Sequence, residues 1–265
     1  MESRIRRGPA PTGSPSGARR LERHPGDAVT RENLAMDDRR ALSVSADYLE
    51  GLSAVYAQVE RALQGLEEPD FLRPTRCRGW MVGDLLFHML LDGERALRAF
   101  ASPAEGPETV DYVTYWKPWS AEDPDALAHA RFVRLSAAAH SSQGVIAERW
   151  KDTSSAALRA AKTVDSRGFV STQGHVLSVP DFVATLVVEA AIHHLDLVVD
   201  LPSPEAPEGL PLRFVRATVE GLLERPLPST WDDVAVALRA TGREPIPAGE
   251  RGLLDSVVDR FPVFS

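Results

Sequence analysis

Apolar residues recur every three or four positions along several stretches of the chain, a pattern typical of amphipathic helices. The first such stripe consists of Tyr48, Leu52, Val55, Val59 and Leu63. A second stripe predicts a helix from near Trp80 to about Phe100. The segment from Asp125 to about Val164 is again rich in helical pattern, and it fits either one long helix or two.

A fourth helix is predicted to begin at Ser178 and to stop before Pro202. Ser178 with Asp181 three residues later is a partial capping box, and Pro180 falls in the first turn, where proline is tolerated. The short run at residues 174–178 just before it reads as extended. Four long helices joined by short and medium connections indicate a four-helix bundle.

The segments on either side of this body differ from it. Residues 1–40 hold nine arginines and six acidic residues with almost no apolar periodicity, so we expect a disordered basic tail. Residues 41–201 carry the bundle, and a proline-rich linker opens residues 202–265. Beyond that linker the pattern predicts a helix at 212–223, a strand at 234–238 and a last helix near 249–260. The sequence therefore predicts a mainly α protein with a small C-terminal α/β domain.

Composition narrows the classes of partner. The formal net charge of −8 argues against a general nucleic-acid binder, which needs a clustered cationic face. The single cysteine excludes an internal disulfide framework and any site built from several cysteines, and it favours a cytoplasmic location. No run of about 18 uncharged apolar residues is present, so we expect no membrane-spanning segment.

Four aromatic residues cluster in the proline- and glycine-rich stretch between residues 102 and 124, which is predicted to be a long loop. They are Tyr112, Tyr115, Trp116 and Trp119. Long loops inside compact domains are often functional. These side chains would either line a pocket or plug one end of the bundle.

Ligand-type residues with suitable spacing occur in the fourth predicted helix. Glu189 and His193 lie four positions apart, so they share one helix face with about 5–6 Å between their Cβ atoms. Such a pair can hold a metal ion, or it can be an ordinary ion pair on a solvated surface. Its place in the most apolar helix favours the metal, because buried charge needs a partner. Asp196 would then orient a ligand from behind.

A third ligand is expected from another helix. His88 is the best placed of the remaining histidines, since it lies in the middle of the second helix between apolar neighbours. Asp84 precedes it by one turn and would hold its imidazole. A lone histidine on a helix is also compatible with a purely structural role in the core.

These residues fall within two recognisable motifs. The stretch Cys77-Arg-Gly-Trp-Met-Val-Gly-Asp-Leu-Leu-Phe-His88 resembles the Cys-Pro-Gly-Trp-Thr-Val-Arg-Asp-Leu-x-x-His signature of mycothiol-dependent maleylpyruvate isomerases, a branch of the DinB-like bundle superfamily. Glu189, His193, Asp196 and Leu197 match its second signature, Glu-x-x-x-His-x-x-Asp-Leu. The tail from Trp231 to Phe264 is similar to the small C-terminal domain of that family. The resemblance covers residues 43–265.

The resemblance implies that His88, Glu189 and His193 are the metal ligands, that the fold is a DinB-like four-helix bundle, and that mycothiol is the thiol cosubstrate. Arg78 and Gly83 replace the usual proline and arginine, and neither is a ligand position. The isomerases also use an active-site arginine, which the sequence does not place. Lys117 and Arg131 are the nearest candidates along the chain.

Three protein ligands leave the fourth position of a tetrahedral zinc site open, which is typical of a catalytic site. A thiol bound there is deprotonated, and the thiolate is the nucleophile. The favoured function is therefore a divalent-metal enzyme, with Zn²⁺ as the expected ion, that transfers mycothiol to a small-molecule electrophile. A cis–trans isomerase using mycothiol is an alternative. A non-catalytic metal-binding bundle acting as an interaction module is another, and a fourth protein ligand such as His194 or Asp196 would favour it.

Overall fold

Four long helices form the body of the molecule. The computed structural model describes residues 42–117, 124–202 and 205–264. The bundle helices are α1 (Val44–Leu63), α2 (Val82–Ala101), α4 (Gln143–Thr163) and α5 (Val179–Leu197). Helix α1 packs against α4 and α5, and α2 packs against the same two helices. Each helix thus has two neighbours around one apolar core, and the prediction of a mainly helical bundle is confirmed.

The stretch after residue 124 contains two helices. Helix α3 (Pro124–Ala138) packs against α2, and a short break at residues 139–142 separates it from α4. The connection after α2 and the connection before α5 pair with each other in a small antiparallel sheet, whose strand order is β1-β2-β3. Its strands are β1 (Pro103–Ala104), β2 (Phe169–Thr172) and β3 (His175–Ser178). The extended run expected before the fourth helix is therefore the last strand of this sheet.

Helix α5 begins as its sequence predicts. The Ser178 hydroxyl accepts a hydrogen bond from Asp181 N at 3.2 Å, and Pro180 occupies the first turn. Nearly every side of the helix is buried, because α1, α2 and α6 (Leu210–Leu223) surround it. By length and composition the segment Val179–Asp200 would suffice to cross a membrane, but most of its apolar window lies inside the fold.

The segment after the linker is helical where a strand was expected. Helix α6 is followed by α7 (Asp233–Ala240) and by two 3₁₀ helices, Ala248–Leu253 and Asp255–Arg260. The predicted strand at 234–238 is wrong, because Asp232 caps this segment as a helix by accepting a hydrogen bond from Ala235 N at 2.7 Å. The α/β description of the C-terminal segment is wrong too, since its described residues contain no strand.

The C-terminal helices share the core of the bundle. Helix α6 packs on α5 and α1, and α7 packs on α6. Tyr115 and Trp116 are buried, and the Trp116 ring lies 5.0 Å from that of Phe264. These two aromatic residues of the long connection therefore fill the interior. Trp119 and the predicted tail at residues 1–40 lie outside the described residues.

Helices α2 and α4 approach closely at Gly93. A Cβ atom at this position would lie 2.9 Å from the Thr153 methyl carbon, and the position is buried. We expect Gly93→Ala to destabilise the fold by about 1–3 kcal/mol through overpacking. Gly144→Ala is the matched control, because it lies in α4 with only the Ser142 hydroxyl nearby, at 3.9 Å.

The control should be neutral or slightly stabilising, since alanine favours helix more than glycine does. Urea unfolding of both variants measures the difference. Equal stability of the two variants would contradict the close approach of α2 and α4.

Candidate metal centre

Three side chains from two neighbouring helices meet at one point. His88 comes from α2, and Glu189 and His193 come from successive turns of α5. His88 Nε2 lies 3.2 Å from Glu189 Oε1, and His193 Nε2 lies 3.3 Å from the same oxygen. The candidate ligand atoms of all three residues lie within 4.8 Å of one another. The structure thus brings together the three residues that the sequence proposed as ligands.

The donor set fits a divalent metal ion. Zinc bonds to imidazole nitrogen and carboxylate oxygen at about 2.0–2.2 Å, so neighbouring ligand atoms of a tetrahedral site lie about 3.3 Å apart. The two distances from Glu189 Oε1 match this spacing. Both imidazoles also present the same atom, Nε2, to the carboxylate.

The other ring nitrogen of His193, Nδ1, faces a buried carboxylate. His193 Nδ1 lies 3.1 Å from Asp196 Oδ2, and the Asp196 side chain is fully buried. Arg243 donates to both oxygens of Asp196, from Nε at 2.6 Å and from Nη2 at 2.8 Å. Burial alone would raise the pKa of Asp196, but its bonds to His193 and Arg243 hold it well below the usual range. A carboxylate in this position fixes the tautomer that leaves Nε2 free for a metal.

His88 has a different set of neighbours. Its Nδ1 lies 3.3 Å from His129 Nε2 on α3, and its Nε2 lies 3.8 Å from Asp92 Oδ2. Asp84, which was expected to hold His88, instead accepts a hydrogen bond from Met81 N at 3.0 Å and caps the start of α2. The carboxylate beside His88 is therefore the one a turn after it, and the expectation for Asp84 is corrected.

The pKa values of Glu189 and His193 depend strongly on each other. Burial raises the pKa of Glu189, but the charges and hydrogen bonds of His193 and His88 lower it well below its usual value. Burial lowers the pKa of His193, but the charge of Glu189 and the hydrogen bond to Asp196 raise it well above its usual value. Without an ion, the group is thus a buried pair of opposite charges. A metal that binds here must displace protons, as is general for histidine ligands.

A second ligand-type group shares His193. Cys77 Sγ lies 3.7 Å from His193 Nδ1 and 3.3 Å from Asp196 Oδ2. This group lies on the opposite edge of the imidazole from Glu189. The Arg243 guanidinium already neutralises Asp196 there, so its positive charge opposes a cation. The geometry therefore favours the group that contains His88.

Arg243 and Arg95 lie close to the centre, and neither is among the candidates considered from the sequence. Arg243 binds Asp196, as described above. Arg95 on α2 donates to Asp92 Oδ1 from Nε at 3.2 Å and from Nη2 at 3.0 Å. Lys117 and Arg131, the candidates nearest in sequence, are exposed. Of the residues that sequence reasoning missed, only Asp92 carried a local signal, because it follows His88 by four positions on one helix.

The chain matches one family model, described as the mycothiol maleylpyruvate isomerase N-terminal domain, over residues 52–198. The match covers more than half of the chain and includes the three candidate ligands. The chain belongs to this family. Among curated proteins and among solved structures, none matches it.

His194, next to the ligand position, is fully buried. Burial lowers its pKa from 6.5 to about 4. Between these values the unfolded chain binds a proton that the folded chain does not, so stability falls as the pH drops from 6.5 to 4. The total loss from this group is about 3 kcal/mol.

We expect His194→Leu to lack this part of the acid destabilisation. Chemical unfolding of EDTA-treated protein at several pH values between 7 and 4 measures it. His140→Gln is the control, because it replaces a histidine outside the centre and leaves His194 in place; it should keep the acid destabilisation that His194 causes. An identical pH dependence in the wild type and in His194→Leu would contradict the assignment.

Proposed function

We propose that the protein is a metal-dependent enzyme that activates mycothiol for transfer to a small electrophilic substrate. His88, Glu189 and His193 would hold a divalent ion, for which Zn²⁺ is the best candidate by ligand type. The observation that carries the proposal is the convergence of two Nε2 atoms on one oxygen of Glu189. Membership of the mycothiol-related family supports mycothiol as the thiol.

The number of ligands supports turnover over an inert metal-binding module. Neither His194 nor Asp196 belongs to the group formed by His88, Glu189 and His193 among the described residues. Asp196 faces the far nitrogen of His193 and is bound by Arg243. Three protein ligands leave room for an exogenous ligand, as in catalytic zinc sites.

The protein's own residues would position the reactants. A bound zinc ion would lower the pKa of a thiol that binds to it, which makes the thiol nucleophilic at neutral pH. Glu189 contributes one negative charge next to the ion, and Asp196 holds the His193 ring in one orientation. The apolar side chains around α5 exclude bulk water from the inner side of the centre.

The ion pairs of the arginines near the centre favour transfer over isomerisation. The name of the family implies an acidic substrate, which calls for a free cationic group. Two guanidinium groups near the centre are bound to carboxylates, Arg243 to Asp196 and Arg95 to Asp92. The Arg76 guanidinium donates to the backbone oxygen of Leu195. Isomerisation remains the second candidate, because these arginines do lie beside the centre and the family is named for that reaction.

The remaining parts of the proposal follow from the family. A DinB-like arrangement fits the four helices, with ligands drawn from α2 and α5. A cytoplasmic location fits an enzyme that uses a low-molecular-weight thiol. The boundary between a bundle at residues 41–201 and a separate C-terminal domain is likewise proposed, although the two segments share one core.

Mass spectrometry of the reaction products tests the proposal. Zinc-loaded protein is incubated with mycothiol and a panel of neutral electrophiles, including an epoxide and an activated alkene. We expect a product whose mass is that of the mycothiol conjugate, formed faster than without protein. Glu189→Gln should abolish the acceleration, and Glu94→Gln on the surface should retain it. Conversion of maleylpyruvate with no conjugate would favour the isomerase, and neither reaction would favour the inert module.

A further inference from the structure

Helix α3 brings a further histidine to the candidate metal centre. His129 Nε2 lies 3.3 Å from His88 Nδ1, and the two rings are nearly perpendicular, with 5.5 Å between their centroids. His129 precedes the buried Val133 by one turn, and α3 packs against α2. The packing of these two helices therefore sets His129 beside a candidate ligand, although α3 is not one of the four bundle helices.

The two ring nitrogens of His88 face different partners. Nε2 lies 3.2 Å from Glu189 Oε1, inside the candidate ligand group. When Nε2 binds a metal ion, the proton of the neutral ring must lie on Nδ1. Nδ1–H is then a hydrogen-bond donor, and His129 Nε2 is its acceptor within the described part of the chain.

The other contacts of the His88 ring do not replace this bond. The Trp80 ring packs against it with 5.2 Å between the centroids, an apolar contact that accepts no hydrogen bond from Nδ1 in the ring plane. Metal-binding histidines almost always donate their second ring N–H to a partner that fixes the orientation of the ring. Asp196 lies in the corresponding position at His193 Nδ1.

We propose that His129 is a positioning residue of the metal centre, whose Nε2 accepts the hydrogen bond of His88 Nδ1–H and so directs His88 Nε2 at the ion. The inference rests on the proposed function, because His129 acts through one ligand of the proposed centre. It adds a residue from α3 to a site that otherwise draws its ligands from α2 and α5.

An imidazole acceptor adds no negative charge to the centre. Two other carboxylates lie close by, and each forms an ion pair with an arginine. These pairs are Asp196 with Arg243 and Asp92 with Arg95. A divalent ion with Glu189 as its only charged ligand therefore keeps about one net positive charge, which favours a thiolate as the fourth ligand. A carboxylate in place of His129 would reduce this attraction.

The zinc affinity of His129 variants tests the positioning role without any thiol. Chelator competition is measured at pH 8, well above the ordinary pKa of histidine, where the ring is neutral. His129→Leu removes the acceptor, and we expect about tenfold weaker zinc binding, at the lower end of the losses caused by outer-shell substitutions. His129→Gln offers an amide oxygen as acceptor and should restore the affinity to within about threefold of the wild type.

His140→Leu is the matched control, because it makes the same substitution at a histidine that bonds to Ser136 O and Arg149 instead. It should bind zinc as the wild type does. Because His129 is exposed, its replacement should leave the fold intact, which circular dichroism checks.

The location of the ring protons is a readout that a merely structural role would not affect. Proton–nitrogen correlation spectra of zinc-loaded protein with ¹⁵N-labelled histidine report which ring nitrogens are protonated. We expect His88 to carry its proton on Nδ1, and His129 to carry its own on Nδ1 as well, which leaves His129 Nε2 free to accept. His129→Gln assigns the His129 signals.

Three results would each overturn the proposal: wild-type zinc affinity in His129→Leu, equal losses in His129→Leu and His129→Gln, or a proton on His129 Nε2. His88→Ala separates this outcome from failure of the proposed centre. If His88→Ala loses zinc and His129→Leu does not, only the role of His129 is wrong. If His88→Ala keeps zinc, the centre and the role of His129 are both wrong. Failure of thiol transfer alone would leave these measurements unchanged, because they use no mycothiol.

Discussion

His88→Ala and His193→Ala will each abolish tight zinc binding and leave a folded helical bundle. Each imidazole supplies one of the three ligand atoms, and loss of even an outer-shell partner typically costs 10–100-fold in metal affinity, so we expect a loss of more than about 100-fold. The fold should survive because neither side chain belongs to the apolar core.

Elemental analysis, chelator competition and circular dichroism of the purified variants measure these effects. His140→Ala is the matched control, since His140 hydrogen-bonds to Ser136 O and Arg149 away from the centre. Full zinc occupancy in both ligand variants, with the control unchanged, would show that the ion binds elsewhere.

Arg243→Gln will strongly destabilise the fold. The substitution leaves the Asp196 carboxylate fully buried and without its bidentate partner. Removing one partner of a buried ion pair costs about 3–5 kcal/mol. Arg61→Gln breaks an exposed pair with Glu205 and should cost only about 0–1 kcal/mol.

The cause of the effect can be isolated with a second substitution. Asp196→Asn in the Arg243→Gln background removes the stranded charge and should recover part of the lost stability, as measured by chemical unfolding. If Arg243→Gln costs no more than Arg61→Gln, the carboxylate is not dependent on its partner. The placement of α7 and its following turn against α5 would then be wrong.

The parts of the fold that could be predicted are those with a clear local pattern. The stripe from Tyr48 to Val59 lies on one face of α1, and the Ser178 cap starts α5 as its sequence indicates. The segment at 234–238 misleads because alternation of valine and alanine fits a strand and also one face of a short helix. The cap at Asp232 decides between them.

The ligand group could be proposed from the sequence because Glu189 and His193 share a helix face. The choice between Asp84 and Asp92 as the partner of His88 could not be made, because both lie four residues from it. Asp84 caps the first turn of α2 by accepting a hydrogen bond from Met81 N, and Asp92 is the carboxylate of the two that lies beside the centre. Arg243 could not be found at all, since it reaches Asp196 from 47 residues further along the chain. Contacts of this kind depend on tertiary packing and leave no periodic signal.

The most direct test of the account is the absorption spectrum of the cobalt-substituted protein as mycothiol is added. If the group formed by His88, Glu189 and His193 holds the ion and leaves one position for a thiol, mycothiol will produce a sulfur-to-cobalt charge-transfer band that saturates. Glu189→Gln will weaken cobalt binding and alter that spectrum, because it removes one negative charge next to the ion. If mycothiol at saturating concentration leaves the cobalt spectrum unchanged, the thiol does not bind the metal and the proposed mechanism is contradicted.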